Sequence, residues 1–302
     1  MGTPEFAIPS LTILISNNYS IVGVVTVPDK PSGRGQRLAA SPVKKIAMEH
    51  RLAVFQPDQL NEQRFVEQMQ SLRPDIIVVV AFRILPKEIF LIPRCGAFNL
   101  HASLLPKYRG AAPINWAIIN GEKETGITTF FLQEKVDTGN IILQARVAIR
   151  EDETAGELHD TLSEVGAELV LHTVRLIEMG KAQPQPQDSG TASSAPKIFK
   201  EMCKIDWHKS ASELHNFIRG LSPRPCAYTG YKGMLIKLYR SRVLQNSLTG
   251  TPGEILSADG SLVVSTGNGV IEILELQQEG KKMQPAEEFL RGFHLKKGEL
   301  FS

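Results

Sequence analysis

The sequence predicts an α/β protein: a Rossmann-like domain with a mostly parallel sheet, then a small all-β barrel. Three observations predict it. Solid apolar, β-branched runs at 21–27 and 75–81 alternate with helical patterns, as buried parallel strands do. A stretch rich in Gln, Pro, Ser, Gly and Ala at 180–196 breaks the pattern. Beyond it, short strand-like runs are separated by Gly, Pro, Asn or Asp.

In chain order, residues 8–16 read as a helix and 21–27 as a buried strand. Residues 28–42 hold three prolines and two glycines and read as a long exposed loop. Residues 43–50 look helical. Residues 61–72 are amphipathic, with Phe65, Met69 and Leu72 at helical spacing. Residues 75–81 are the strongest buried strand. Strands are expected at 95–100, 128–133 and 141–149, and a helix at 112–119. Residues 154–179 carry one long apolar stripe through Leu158, Leu162, Val165, Leu169 and Leu176. After the break, 210–220 reads as a helix. Strands are expected at 234–239, 253–256, 262–266 and 270–276, in a barrel-like series.

Composition narrows the function class. The chain has 302 residues, 42% of them hydrophobic and 22% charged, the proportions of a folded globular protein. No apolar run approaches a membrane span, and no signal-peptide pattern opens the chain. Cys95, Cys203 and Cys226 form no paired motif, so a reduced, cytoplasmic protein without structural zinc is expected. The net charge of +2 is uneven. Lys30, Arg34, Arg37, Lys44 and Lys45 face only Asp29 in one segment, and a second basic cluster lies at 205–244. Each is either a solvated face or a phosphate-binding surface.

The informative stretch is residues 95–110. Asn99 and His101 stand two apart at the end of an expected strand, so they point the same way. An amide can donate to an oxygen that gains charge, and an imidazole can move a proton. A core histidine beside a turn asparagine would give the same spacing. Asp137, before Thr138 and Gly139, reads as an Asx turn or as a carboxylate that orients His101. No spacing rule brings it to His101. Gly33-Arg34-Gly35 is not a dinucleotide fingerprint, and no P-loop, serine elbow or metal spacing is present.

Together these residues resemble the methionyl-tRNA formyltransferase family over almost the whole chain. The carriers are residues 2–7, 28–35 and 41–44, then 99–106 with 108–114, then Asp137-Thr138-Gly139, 205–207 and 280–283. The resemblance implies formyl transfer from 10-formyltetrahydrofolate to the α-amino group of methionine on initiator tRNA. It implies catalytic roles for Asn99, His101 and Asp137, and a folate pocket along Ser103, Leu104, Leu105 and Pro106. It implies tRNA contacts by Lys30, Arg34, Arg37 and Lys44, an OB-like second domain, and no metal. The expected division is a formyltransferase domain at 1–180, a linker at 181–204 and a tRNA-binding domain at 205–302. A monomer is expected. Two alternatives stay open: a folate-dependent formyltransferase acting on a nucleotide-linked amine, and an inactive tRNA-binding relative.

Two departures stand out. The family's first loop follows a strand, yet here it begins at residue 2, so a central strand is expected to be missing from this sequence. Arg83 stands where the family carries glycine, in a segment one residue short, beside the expected folate pocket.

Overall fold

A computed structural model describes residues 1–32, 37–245 and 249–302, with the backbone alone at 32 and 37. The first part of the chain runs α1 (Ile8–Ser16), β1 (Val24–Val25), β2 (Lys30–Ser32), β3 (Arg37–Ala39), α2 (Pro42–Glu49), β4 (Val54–Phe55) and α3 (Gln63–Leu72). It continues through β5 (Ile77–Val80), α4 (Lys87–Phe90), β6 (Ala97–His101), β7 (Arg109–Gly110), α5 (Pro113–Ile119), β8 (Glu124–Phe131), β9 (Ile141–Ala148), α6 (Ala155–Glu178) and β10 (Ser194–Ala195). Then follow α7 (Ala211–Leu221), β11 (Ala227–Tyr231), β12 (Met234–Leu244), β13 (Ile255–Ser257), β14 (Leu262–Ser265), β15 (Val270–Gln278), β16 (Gln284–Pro285) and α8 (Ala286–Gly292). By packing, the chain divides into two units. One holds Met1–Gly110, Gly126–Val147 and His159–Ser194; the other holds Ala111–Thr125, Ala148–Leu158 and Ala195–Ser302.

In the first unit, a sheet of order β5-β6-β8-β9 carries the core. Phe98 and Phe130 are fully buried in it, and such burial stabilises by about 1.5–3 kcal/mol per ring. The expected parallel pairing is present at β1–β4, Gly2–Val80 and β5–β6, and it reverses at β8. β5 and β6 are parallel, but β6 and β8 are antiparallel, with His101 opposite Thr128. Apolar, β-branched runs report burial on both faces and carry no information on direction, so the reversal at β8 was invisible in the pattern.

β1 pairs in parallel with β4 as a separate two-stranded ladder. Met1 and Gly2 lie between β1 and β5. The Gly2 N–H donates to Val25 O (3.1 Å), and the Val80 N–H donates to Met1 O (2.9 Å). The Met1 nitrogen donates to Val78 O at 2.7 Å. Met1 and Gly2 thus bond to β1 on one side and to β5 on the other, with Gly2 parallel to Val80. Further along, the space between the two ladders is a groove lined by Ile21, Gly23, Met69, Leu72, Ile76 and Ile77.

α6 covers the sheet through Leu162, Leu169, Val170, Thr173 and Val174, all buried. Thr173 and Thr129 share a hydrogen bond of 2.8 Å, and Ser163 donates to Phe6 O (3.0 Å). A Cβ on Gly166 would meet Leu100 Cδ2 at 2.7 Å, so glycine lets the helix approach β6 closely. α2 starts at Ser41, whose hydroxyl accepts from the Lys44 N–H, with Pro42 in the first turn.

In the second unit, α7 begins with a capping box of Ser210 and Glu213. Its buried Leu214, Ile218 and Leu221 join Ile236, Leu238, Ile271, Ile273 and Leu276 in one core. The strands follow the order β11-β12-β15-β14-β13, each neighbouring pair antiparallel. The expected closed barrel is corrected here: among the described residues, β11 and β13 are the two ends of an open ladder. The end strands are satisfied by irregular chain. Ile255 N donates to Glu299 O (2.8 Å), Phe301 N to Gly253 O (2.9 Å), and Ser302 and Gly230 exchange backbone bonds (2.8 and 2.9 Å). Residues 298–302 thus bond to both end strands without forming a strand. Alternating apolar runs predict strands, whereas closure depends on what meets the two edges.

Candidate active site

β6 is the second strand of its sheet, and its last residues carry the site. The alternation of β6 puts Asn99 and His101 on one face. His101 is 6% exposed and Asn99 half-buried. His101 Nε2 lies 2.8 Å from the carbonyl of Tyr108. A carbonyl only accepts, so Nε2 carries the proton in the neutral ring. The other nitrogen, Nδ1, faces Asp137 Oδ2 at 4.0 Å. That is too long for a direct hydrogen bond and short enough for an ion pair once Nδ1 is protonated. Phe130 presents its ring edge-on to His101 at 6.5 Å. Among the described residues, the Asn99 amide makes no hydrogen bond within the protein, so its donors are free.

Asp137 reaches this position through a tight turn. Its φ is +55°, and Oδ2 accepts from the Gly110 N–H at 2.9 Å. The turn needs Gly139: a Cβ there would fall 1.6 Å from Phe131 O. Thr138 donates to Lys135 O (2.8 Å) within the same turn. The fold therefore brings Asn99, His101 and Asp137 together, although no sequence spacing pointed to the Asp137–His101 approach.

The turn expected to line a folate pocket follows directly. Ser103 and Leu105 are buried, and Leu104 and Pro106 are half-buried. Thr128 Oγ1 donates to Ser103 O (2.7 Å) and accepts from the Leu105 N–H (3.1 Å). Gln144 donates to Leu105 O (2.9 Å) and to Thr128 Oγ1 (2.9 Å). The backbone of Leu105 is thus held by the strands. One residue of this neighbourhood, Gln187, escaped the sequence reading, whereas Arg109 lies in the segment 108–114 that carries the resemblance. Arg109 donates twice to Gln187 Oε1, and Gln187 Nε2 donates to Asp137 O (3.0 Å) and Gly139 O (2.8 Å). Gln187 lies in a stretch whose composition signalled only a linker.

Arg83 leaves the end of β5 beside β6. Its guanidinium donates to Asp58 O and Pro57 O, each at 2.8 Å, and lies 5.3 Å from the centre of the Phe82 ring. It fastens the segment after β5 to the segment after β4. Nε of Arg83 is buried without a partner among the described residues.

The basic segment is only partly described. β2 and β3 pair antiparallel, with Lys30 exposed on β2. Arg34 lies outside the described residues, and Arg37 is described by its backbone alone. Lys44 is engaged: Nζ donates to Asp29 Oδ2 (2.6 Å) and Gln56 Oε1 (2.7 Å). Lys44, with Gln56, holds the Asp29 carboxyl below the usual carboxylate range. Among the described residues, no group of three or more His, Cys, Asp or Glu is placed to hold a metal ion. No described helix is long and apolar enough to cross a membrane.

Comparison with known proteins shows the family. The family model for formyl transferases matches residues 1–174, and that for the formyl transferase C-terminal domain matches 197–294. The fold and site therefore define a two-part formyl transferase. The chain is 48% identical over 301 residues to a methionyl-tRNA formyltransferase of Clostridioides difficile, covering 99% of this chain and 97% of that one. It is 45% identical over 306 residues to one of Bacteroides fragilis, covering 98% and 94%. The chain belongs to the methionyl-tRNA formyltransferase family. Its fold is shared with an N-formyltransferase from Helicobacter canadensis, solved with folinic acid and dTDP-3-aminofucose (TM-score 0.67, 22% identity, 92% of this chain and 97% of that one). It is also shared with WlaRD, a sugar 3N-formyl transferase (TM-score 0.69, 20% identity, 93% and 97%).

Proposed function

We propose that this chain moves the formyl group of 10-formyltetrahydrofolate to the α-amino group of methionine on initiator tRNA, for translation initiation. The observation that supports this reading best is the convergence of a free Asn99 amide, buried His101 and Asp137 at one end of β6. It occurs in a chain 45–48% identical to methionyl-tRNA formyltransferases over nearly its full length.

The residues divide the work by their hydrogen bonds. The amine attacks the formyl carbon, and the carbonyl oxygen gains charge. The free Asn99 amide donates to that oxygen. His101 Nδ1, the nitrogen with an open lone pair, takes the proton from the attacking amine. Nε2–H stays on Tyr108 O and keeps the ring oriented. The imidazolium then lies 4.0 Å from the Asp137 carboxylate, within ion-pair distance. The imidazolium gives that proton to N10 as the bond from the formyl carbon to N10 breaks, so tetrahydrofolate leaves protonated on N10 and His101 returns to its neutral form.

Half-buried Leu104 and Pro106 offer the folate an apolar wall on a turn that Thr128 and Gln144 keep rigid. Residues 1–180 carry the transfer, 181–204 connect, and 205–302 hold tRNA. Lys30, Arg34 and Arg37 reach its phosphates, and the Lys44 ammonium supports that segment from Asp29 and Gln56. The protein works in the cytoplasm as a monomer. Acceptor choice tests the reading: formyl transfer to methionyl initiator tRNA should exceed transfer to a nucleotide-linked amino sugar by orders of magnitude. Equal or reversed preference overturns it.

A further inference from the structure

We infer that Gln187 is a positioning residue for Asp137, so that a stretch resembling a linker in sequence is part of the support of the active site. The inference rests on the role given to Asp137 above.

The geometry is specific. Gln187 Nε2 donates to both carbonyls that flank Thr138: Asp137 O at 3.0 Å and Gly139 O at 2.8 Å. Its Oε1 accepts from Arg109 Nε (3.1 Å) and Nη2 (2.6 Å). Arg109 precedes Gly110, whose N–H donates to Asp137 Oδ2 (2.9 Å). One side chain therefore joins the two segments that meet at the Asp137 carboxylate. Asp137 needs such help, because its φ of +55° is a conformation that L residues rarely adopt. An uncharged primary amide suits this position, since it carries two donors on one atom and an acceptor on the other. A carboxylate of the same length would face two carbonyl oxygens with no hydrogen to give.

The backbone places Gln187 as firmly as a strand would. Gln185 and Ile141 exchange two hydrogen bonds, each 2.8 Å, at the start of β9. Gln187 follows two residues later. Arg109 N–H donates to Ser193 O (2.9 Å) and Tyr108 N–H to Ser193 Oγ (2.9 Å). The chain from 185 to 193 is thus pinned at both ends across the site.

The test combines kinetics with amide exchange. Gln187→Ala and Gln187→Glu are each made in the native background and in Asp137→Asn, and single-turnover formyl transfer is measured. In the native background, the rate constant should fall by about 10- to 100-fold, the penalty of a misplaced catalytic group. KM for tRNA and for formyl donor should stay within about twofold. In the Asp137→Asn background, the same change should cost less than about twofold, because its target is already gone. Equal losses in both backgrounds, or a native rate in Gln187→Glu, overturn the inference. Gln187→Glu keeps side-chain length and the acceptor for Arg109, so it serves if Gln187→Ala unfolds. The exchange rate of the Gly110 amide gives a readout free of catalysis. It should rise about tenfold or more in Gln187→Glu; an unchanged rate refutes the positioning. Faster exchange in an enzyme that transfers no formyl group would leave the positioning standing and remove the functional reading alone.

Discussion

Replacing Thr128 by Val tests how the floor of the site is built. Thr128 is fully buried, and its hydroxyl makes three hydrogen bonds: to Ser103 O (2.7 Å), from Leu105 N (3.1 Å) and from Gln144 Nε2 (2.9 Å). Val keeps the shape and removes the hydroxyl. Ser103 O and Leu105 N are then left in an interior without water. Each unsatisfied buried group costs about 1–3 kcal/mol, so the pair costs about 2–6 kcal/mol. Gln144 still holds Leu105 O, which keeps the loss from the upper end. For a unit of this size, about 1 kcal/mol lowers Tm by about 2–4 °C, so a fall of about 5–15 °C is expected. The assay is thermal unfolding by circular dichroism, with formyl-donor KM measured below the transition. KM should rise, because the 103–106 turn loses its anchor. A Tm within about 2 °C of native together with native KM would refute the reasoning.

Other expectations follow from the same contacts. Gly139→Ala should abolish transfer, since a Cβ would sit 1.6 Å from Phe131 O; the single-turnover rate checks it. Lys30→Met should reduce the slope of log affinity for tRNA against log salt by about 0.7–0.9, one phosphate contact. Lys44→Met should change that slope by less, because its ammonium is held by Asp29 and Gln56. Glu299 is held at about 2 by hydrogen bonds from Lys232 and Tyr231. A depressed carboxyl stabilises the fold above its ordinary value near 4.5, and that contribution is lost as pH falls from 4.5 towards 2. Glu299→Gln should therefore flatten the acid limb of the unfolding curve in that window.

Much of this was legible in the sequence, and the misses have physical causes. The apolar runs at 75–81 and 95–100 gave β5 and β6, and the period of two gave the shared face of Asn99 and His101. The apolar stripe of 154–179 gave α6 to within a residue at each end. Strand direction was hidden because buried strands look alike whichever way they run. That the second sheet stays open was hidden because residues 298–302 bond to its end strands without strand-like patterning. Gln187 was hidden because a Gln- and Pro-rich composition reads as solvated chain, yet a single amide can still bridge two loops. The approach of Asp137 to His101 is a product of tertiary folding across 36 residues, for which no local period exists.

The central claim is that Asn99, His101 and Asp137 act together on a formyl group passing from folate to an amine. The most direct measurement is single-turnover formyl transfer from 10-formyltetrahydrofolate to methionyl initiator tRNA, comparing the native chain with Asn99→Ala and His101→Ala. The account predicts transfer by the native chain. Asn99→Ala should lose about 3–4 kcal/mol of transition-state stabilisation, a drop of about 10²–10³ in rate. His101→Ala should lose at least about 10², with tRNA binding intact. Native-like rates in both variants, or no transfer by a folded native chain, would contradict it.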